Sequence, residues 1–258
     1  MYQSAITGWF QGGSKGPDPY LADAPEEARD TVKALKEVAD EIEKLRKPTG
    51  KRDSPARTCL ELAKADPTLK SGFYWVDPNA GGVSDAIRVF CKMEGDNTET
   101  CLEPQEEFSN QRWSSEKIDT QGRLWFAEAF AANNEFDYGS HKSQIKFLQH
   151  LTTFARQRIV INCKNTAIIF DNEGNNYDKA ISLASFDEEN MSVHSKMPFR
   201  YRVMEDGCKE KNGQWGRAVI EIRGKKARAQ RVPIMDIGFL DNGADAEFGV
   251  KVGRACFS

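Results

Sequence analysis

Ser71-Gly72-Phe73-Tyr74-Trp75-Val76-Asp77-Pro78-Asn79-Ala80-Gly81-Gly82-Val83-Ser84-Asp85-Ala86-Ile87-Arg88-Val89-Phe90-Cys91 is the stretch from which the chain is best read. Residues 73–76 and 87–91 are short aromatic and β-branched runs bounded by Gly, Pro and polar residues, the pattern of two strands. The turn between them carries oxygen. Asp77, Asn79 and Asp85 offer side-chain ligands, and the backbone carbonyls of Ala80 and Gly82 can complete the six to eight oxygens that calcium takes. The spacing is not that of an EF-hand, and Asp-Pro-Asn followed by Gly-Gly is equally an ordinary surface turn, so the residues alone leave both readings open.

Outward from this hairpin the pattern stays mixed. Further strand-like runs fall at 159–162, 167–170, 199–203 and 219–222, and a helical run covers 143–155, with Ile145, Leu148, Leu151 and Phe154 three apart. An α+β domain of mostly antiparallel strands follows, without internal repeats. Upstream, residues 1–22 are rich in Gly, Pro and Ser and read as a flexible lead-in. A helix is expected over 23–50, capped by Asp23 with Glu26 three residues later and stopped by Pro48 and Gly50. Its apolar residues Ala28, Val32, Leu35, Ala39, Ile42 and Leu45 recur at steps of 4, 3, 4, 3 and 3, the seam of a short coiled-coil stalk. An amphipathic helix packed on its own domain has the same pattern. The parse is therefore lead-in 1–22, stalk 23–50 and globular domain 51–258.

With 39% hydrophobic and 29% charged residues and a net charge of −3, the composition is that of an ordinary globular chain. The basic cluster Arg223, Lys225, Lys226, Arg228 and Arg231 has no interleaved aromatics and reads as a solvated loop, so nucleic acid is excluded as a partner. No stretch approaches the roughly 20 apolar residues of a membrane span. Six cysteines, Cys59, Cys91, Cys101, Cys163, Cys208 and Cys256, lack the paired C-x-x-C spacing of zinc sites and suit disulfides in an oxidising compartment, though spacing does not choose the pairing. Asn190-Met191-Ser192 is a glycosylation sequon. No enzyme is expected: of the imidazoles His141, His150 and His194, His150 sits inside the helical run, where a structural role is the simpler reading.

Several ordered blocks carry a resemblance. Asp53-Ser54-Pro55-Ala56-Arg57-Thr58-Cys59 leads into the hairpin already quoted. Glu99-Thr100-Cys101, Asn162-Cys163-Lys164-Asn165, Asp206-Gly207-Cys208, Trp215-Gly216 and Ala244-Asp245-Ala246-Glu247-Phe248-Gly249 follow, before the ending Cys256-Phe257. Together they resemble the C-terminal propeptides of fibrillar procollagens over nearly everything after Asp23. The resemblance implies a secreted trimerisation module: a coiled-coil stalk and fibrinogen-like lobes that hold three procollagen chains in register so that the triple helix nucleates. It also implies calcium in the 77–85 turn, and bridges joining Cys59 with Cys91, Cys101 with Cys256, and Cys163 with Cys208. Tyr20-Leu21-Ala22-Asp23 is similar to the site at which procollagen C-proteinase cuts, here between Ala22 and Asp23. Chain choice in relatives maps to about residues 137–146.

Two departures matter. Many relatives carry further cysteines at the positions of Ala65 and Gly82, which bridge neighbouring chains; their absence predicts a non-covalent homotrimer. Gln157-Arg158-Ile159 stands where relatives often have a sequon, leaving Asn190 as the glycan candidate. The competing reading is a secreted fibrinogen-like recognition or lectin domain, against which the stalk and the Ala22-Asp23 site argue.

Overall fold

The computed structural model describes residues 25–105, 111–112, 118–129, 135–196 and 199–258. The chain divides into two units, Met1–Arg46 and Lys47–Ser258. The expected lead-in and the Asp23 cap lie outside the described residues.

The first unit contains helix α1, Glu26–Arg46. Its first turn follows Pro25, whose carbonyl accepts the Ala28 and Arg29 amides at 3.0 and 3.1 Å; a residue without an N–H is tolerated there because that donor has no intrahelical partner. Glu26 and Glu27 at the start and Lys44 and Arg46 at the end complement the helix dipole, and Lys44 Nζ meets Glu41 at 2.8 Å one turn back. Leu35, Val38 and Ile42 are 60%, 56% and 51% exposed.

The second unit begins four residues before the expected boundary. Pro48 and Gly50 are buried, the Thr49 and Gly50 amides both donate to Ser54 O at 3.0 Å, and Trp75 N donates to Gly50 O at 2.8 Å. Gly50 has φ +72°, and a side chain there would meet Leu62 and Tyr74 at 2.8 Å, so this turn needs glycine. Helix α2, Cys59–Ala65, is capped by Thr58, which accepts from the Glu61 amide while the Glu61 carboxylate accepts from Arg57 N.

Among the described residues every pair of named strands is antiparallel, where the sequence pattern suggests mostly antiparallel strands. The larger sheet contains β1 (Gly72–Val76), β2 (Ile87–Lys92), β3 (Glu99–Leu102), β4 (Gln111–Arg112), β6 (Phe154–Lys164), β9 (Arg202–Asp206), β10 (Gly216–Lys225), β12 (Glu247–Val252) and β13 (Ala255–Phe257). Their order is β1-β2-β3-β13-β6-β10-β9, with β12 paired to both β6 and β4. The smaller sheet runs β5 (Leu124–Trp125), β11 (Ile234–Phe239), β7 (Ser182–Ser185), β8 (Asn190–Met191). Along β6, Ala155, Gln157, Ile159, Ile161 and Cys163 alternate into the core, the two-residue period of a strand with one buried face. Every residue of β11 is buried. Phe239 of β11 packs on Phe248 of β12 with ring centroids 4.3 Å apart, joining the sheets. A short helix α3, Phe126–Ala129, follows β5, and α4, Lys142–Leu151, precedes β6.

Four sequence readings need correction. The helix expected over 143–155 ends at Leu151, because Thr153 N and Phe154 N instead donate to Ser258 O at 3.0 and 2.9 Å and Phe154 opens β6. The apolar run 167–170 is not a strand: Ala167, Ile168 and Ile169 are buried in a loop pinned by Thr166 and Ala167 donating to Asp241. The strand expected over 199–203 lies at Arg202–Asp206. The basic cluster is solvated only in part: Arg223, Lys225 and Lys226 are exposed, whereas the last two cations turn inward. Arg228 and Arg231 are 7% and 8% exposed; Arg228 donates to Arg200 O, while Arg231 pairs with Asp187 and lies 4.4 Å over the Phe199 ring.

Candidate functional site

The β1–β2 ladder runs from Gly72 opposite Cys91 to Val76 opposite Ile87, with Phe73 against the edge of Phe90 at 5.4 Å. Both strands thus deliver the 77–85 turn as a closed loop ending in a 3-10 turn, Val83–Asp85. Two backbone positions shape it: Ala80 has φ +52° and Gly82 +144°, and the latter conformation is open essentially to glycine alone. Asp77 O accepts the Ala80 amide at 3.1 Å, Asn79 Oδ1 accepts the Gly81 amide at 2.9 Å, and Asp77 Oδ2 accepts the Gly82 amide at 3.3 Å.

Two of the carboxylates converge. Asn79 Nδ2 donates to Asp85 Oδ2 at 2.9 Å. A residue from α4 that the sequence reading did not include, Gln144, donates through Nε2 to Asp77 Oδ1 at 3.1 Å and to Asp85 Oδ2 at 2.7 Å. One amide nitrogen therefore touches both carboxylates. Asp77 is 5% exposed, and among the described residues neither Asp77 nor Asp85 has a lysine or arginine within ion-pair distance. Two carboxylates without a cationic partner, beside an asparagine whose Nδ2 meets Asp85 and whose Oδ1 accepts the Gly81 amide, are an oxygen-rich set with net negative charge, which fits a calcium-like cation in chemistry. Gln144 escaped notice because it is 65 residues from Asn79 along the chain. The available signal was its place four residues before Leu148, a polar residue on the apolar face of its helix.

A second cluster, Glu99 with Cys101 and Cys256, also brings metal-type atoms together. It holds no thiolate, because the two sulfurs are bonded to each other and Glu99 is occupied by Arg156 Nε at 2.7 Å.

Three disulfides staple the lobe. Cys59 of α2 joins Cys91 of β2 with Cα atoms 5.4 Å apart, Cys101 of β3 joins Cys256 of β13 at 4.0 Å, and Cys163 of β6 joins Cys208 before β10 at 5.9 Å. These are the pairs that the resemblance implies. All six cysteines of the chain are used and no free thiol remains. Ala65 and Gly82, the positions at which many relatives carry bridging cysteines, are both exposed. Asn190 is exposed on β8, opposite Ala184, whereas Gln157 is buried, donating to Tyr138 Oη at 2.7 Å and accepting from Ile234 N at 2.7 Å. His141, His150 and His194 are exposed. The Ala22–Asp23 bond lies outside the described residues.

This architecture defines a class: α+β modules stapled by disulfides for an oxidising compartment. More narrowly, the chain belongs to the fibrillar collagen C-terminal domain family, whose model matches residues 27–257. It is similar to the collagen alpha-1(II) chain of Xenopus tropicalis, 38% identical over 271 aligned positions that cover 98% of this chain and 18% of that relative. It is also similar to the collagen alpha-1(II) chain of Gallus gallus, at 37% identity over 98% of this chain and 31% of the relative. The chain spans less than a third of the length of either relative.

Proposed function

We propose that this chain is the trimerisation and registration module of a fibrillar procollagen, a structural rather than an enzymatic protein. Three copies would associate through α1 and lobe surfaces around the 77–85 loop, and hold their upstream strands together until the triple helix nucleates. Glycine at every third position lets collagen strands pair in many registers, so winding in step requires their ends held at high effective concentration. The observation that carries the reading is the exposed apolar stripe Leu35, Val38 and Ile42 on α1, which supports a seam between helices.

With every cysteine used inside the chain, the assembly is non-covalent, and three identical copies suffice. Calcium is the proposed cofactor, held by Asp77, Asn79 and Asp85 with the carbonyls of Ala80 and Gly82; it would neutralise the loop and stiffen it. The module is secreted through the endoplasmic reticulum to the extracellular matrix. Procollagen C-proteinase would release it by cutting between Ala22 and Asp23, and Asn190 is the candidate glycan site. Light scattering on the unreduced protein, with and without a calcium chelator, tests the reading. A trimer that loosens on chelation is expected; a monomer at micromolar concentration with calcium present would overturn it.

A further inference from the structure

Gln144 is fully buried, yet its carboxamide spends every polar atom on one loop. Nε2 donates to Asp77 Oδ1 at 3.1 Å, to Asp85 Oδ2 at 2.7 Å and to the Asp85 carbonyl at 3.2 Å, while Oε1 accepts the Asn79 amide at 3.3 Å. One side chain therefore touches each of the three residues whose side chains are the candidate calcium ligands. A nitrogen bearing hydrogens is not a calcium ligand. What it does is point the oxygens of two carboxylates at a common place and screen their mutual repulsion with the positive end of an amide dipole.

The other end of that clasp is equally fixed. Gln144 belongs to the first turns of α4, whose Ile145 and Leu148 are 2% and 0% exposed in the core. On the solvent side, Phe147 of α4 and Val83 of the loop are 47% and 46% exposed. The loop cannot change the positions of Asp77 and Asp85 without breaking bonds to α4, and α4 cannot shift without disturbing the loop.

We propose that Gln144 is the positioning residue of the cation loop and couples its occupancy to the order of α4. The proposal rests on the calcium reading given above. Outer-sphere partners of this kind typically change metal affinity about 10–100-fold when removed. By reciprocity, a cation that gains affinity from the clasp must stabilise the helix that supplies it.

Calcium titration calorimetry and amide hydrogen exchange on the full, unreduced chain test this with wild type, Gln144→Met and Gln144→Glu. Methionine keeps the length and removes both polar atoms; glutamate keeps an acceptor for the Asn79 amide but places a third carboxylate beside Asp77 and Asp85. The expected results are calcium binding weakened about 10–100-fold in Gln144→Met and slower exchange of the α4 amides on adding calcium to wild type, an effect absent in Gln144→Met. Gln144→Glu should melt below wild type in chelator and show a larger calcium-induced rise in Tm, a split that mere loss of packing would not produce. Calcium affinity within twofold of wild type in Gln144→Met, or α4 exchange in wild type indifferent to calcium, overturns the proposal and leaves the calcium reading standing. If wild type binds no calcium, both fall. Should Gln144→Met fail to fold, the exchange of α4 in wild type decides by itself.

Discussion

Cys101 and Cys256 face one another directly in the β3–β13 ladder, their Cα atoms 4.0 Å apart although 155 residues separate them in sequence. The bridge ties β13 to the third strand of the sheet. A cross-link that closes a longer loop removes more freedom from the unfolded chain, roughly 5 kcal/mol here against about 4 kcal/mol for Cys59–Cys91, with its separation of 32. Replacing Cys101 and Cys256 by serine together should therefore lower the urea midpoint more than the same change at Cys59 and Cys91; the opposite order would count against this account.

Asp236, in the middle of β11, accepts the Ala127 and Ile237 amides at 3.1 and 2.8 Å. Burial pushes its carboxyl up to about 7, against the lowering effect of those two amides, and Glu135 and Glu128 nearby push the same way. A raised acid favours folding in its protonated form. Its contribution is complete below the ordinary value of 3.8 and is lost as pH rises through about 7. Asp236→Asn, which is always neutral, should flatten the stability profile between about pH 4 and 7; thermal melts across that range in both proteins check it, and parallel profiles would refute it.

Gly216 sits opposite Cys163 in the β6–β10 ladder, where a side chain would press on the Gly207 carbonyl and come within 3.0 Å of Cys163 Sγ. Gly216→Ala must displace backbone that is held by Gly207 N donating to Arg217 O at 2.8 Å. A loss of about 2 kcal/mol or more is expected, against about 0.5 kcal/mol or less for Gly243→Ala, where a Cβ meets nothing within 4 Å. Denaturant titration of the two variants measures the contrast.

Leu35 and Ile42 are already exposed in the single chain. Leu35→Glu combined with Ile42→Glu should leave the lobe's melting temperature unchanged in dilute protein while moving the light-scattering mass from trimer to monomer. An intact trimer in the double variant would remove α1 from the interface.

Local pattern and long-range structure contributed differently. The heptad-like steps through Leu35 and Ile42 identify α1, and the aromatic and β-branched runs flanking residues 77–85 identify a hairpin, because both signals are properties of a few consecutive residues. The same reasoning overran at Phe154. Its place three residues after Leu151 continued a helical stripe, and nothing local announced that Ser258, at the far end of the chain, would claim the Thr153 and Phe154 amides. Arg228 and Arg231 misled in the same way: a run of cations is ordinarily solvated, but Arg231 turns inward to Asp187 and Phe199, partners that come from a distant loop.

The residues alone determined that this protein has an amphipathic N-terminal helix, an acidic turn between two strands, and cysteines suited to disulfides, since propensity, periodicity and donor chemistry are carried by neighbouring side chains. Only the tertiary structure decided that Gln144 enters the acidic turn, that Gln157 is buried at Tyr138, and that the helix after residue 142 stops at Leu151. Each of these depends on a hydrogen bond between residues far apart in sequence, and whether such a bond forms is settled by packing the whole lobe at once.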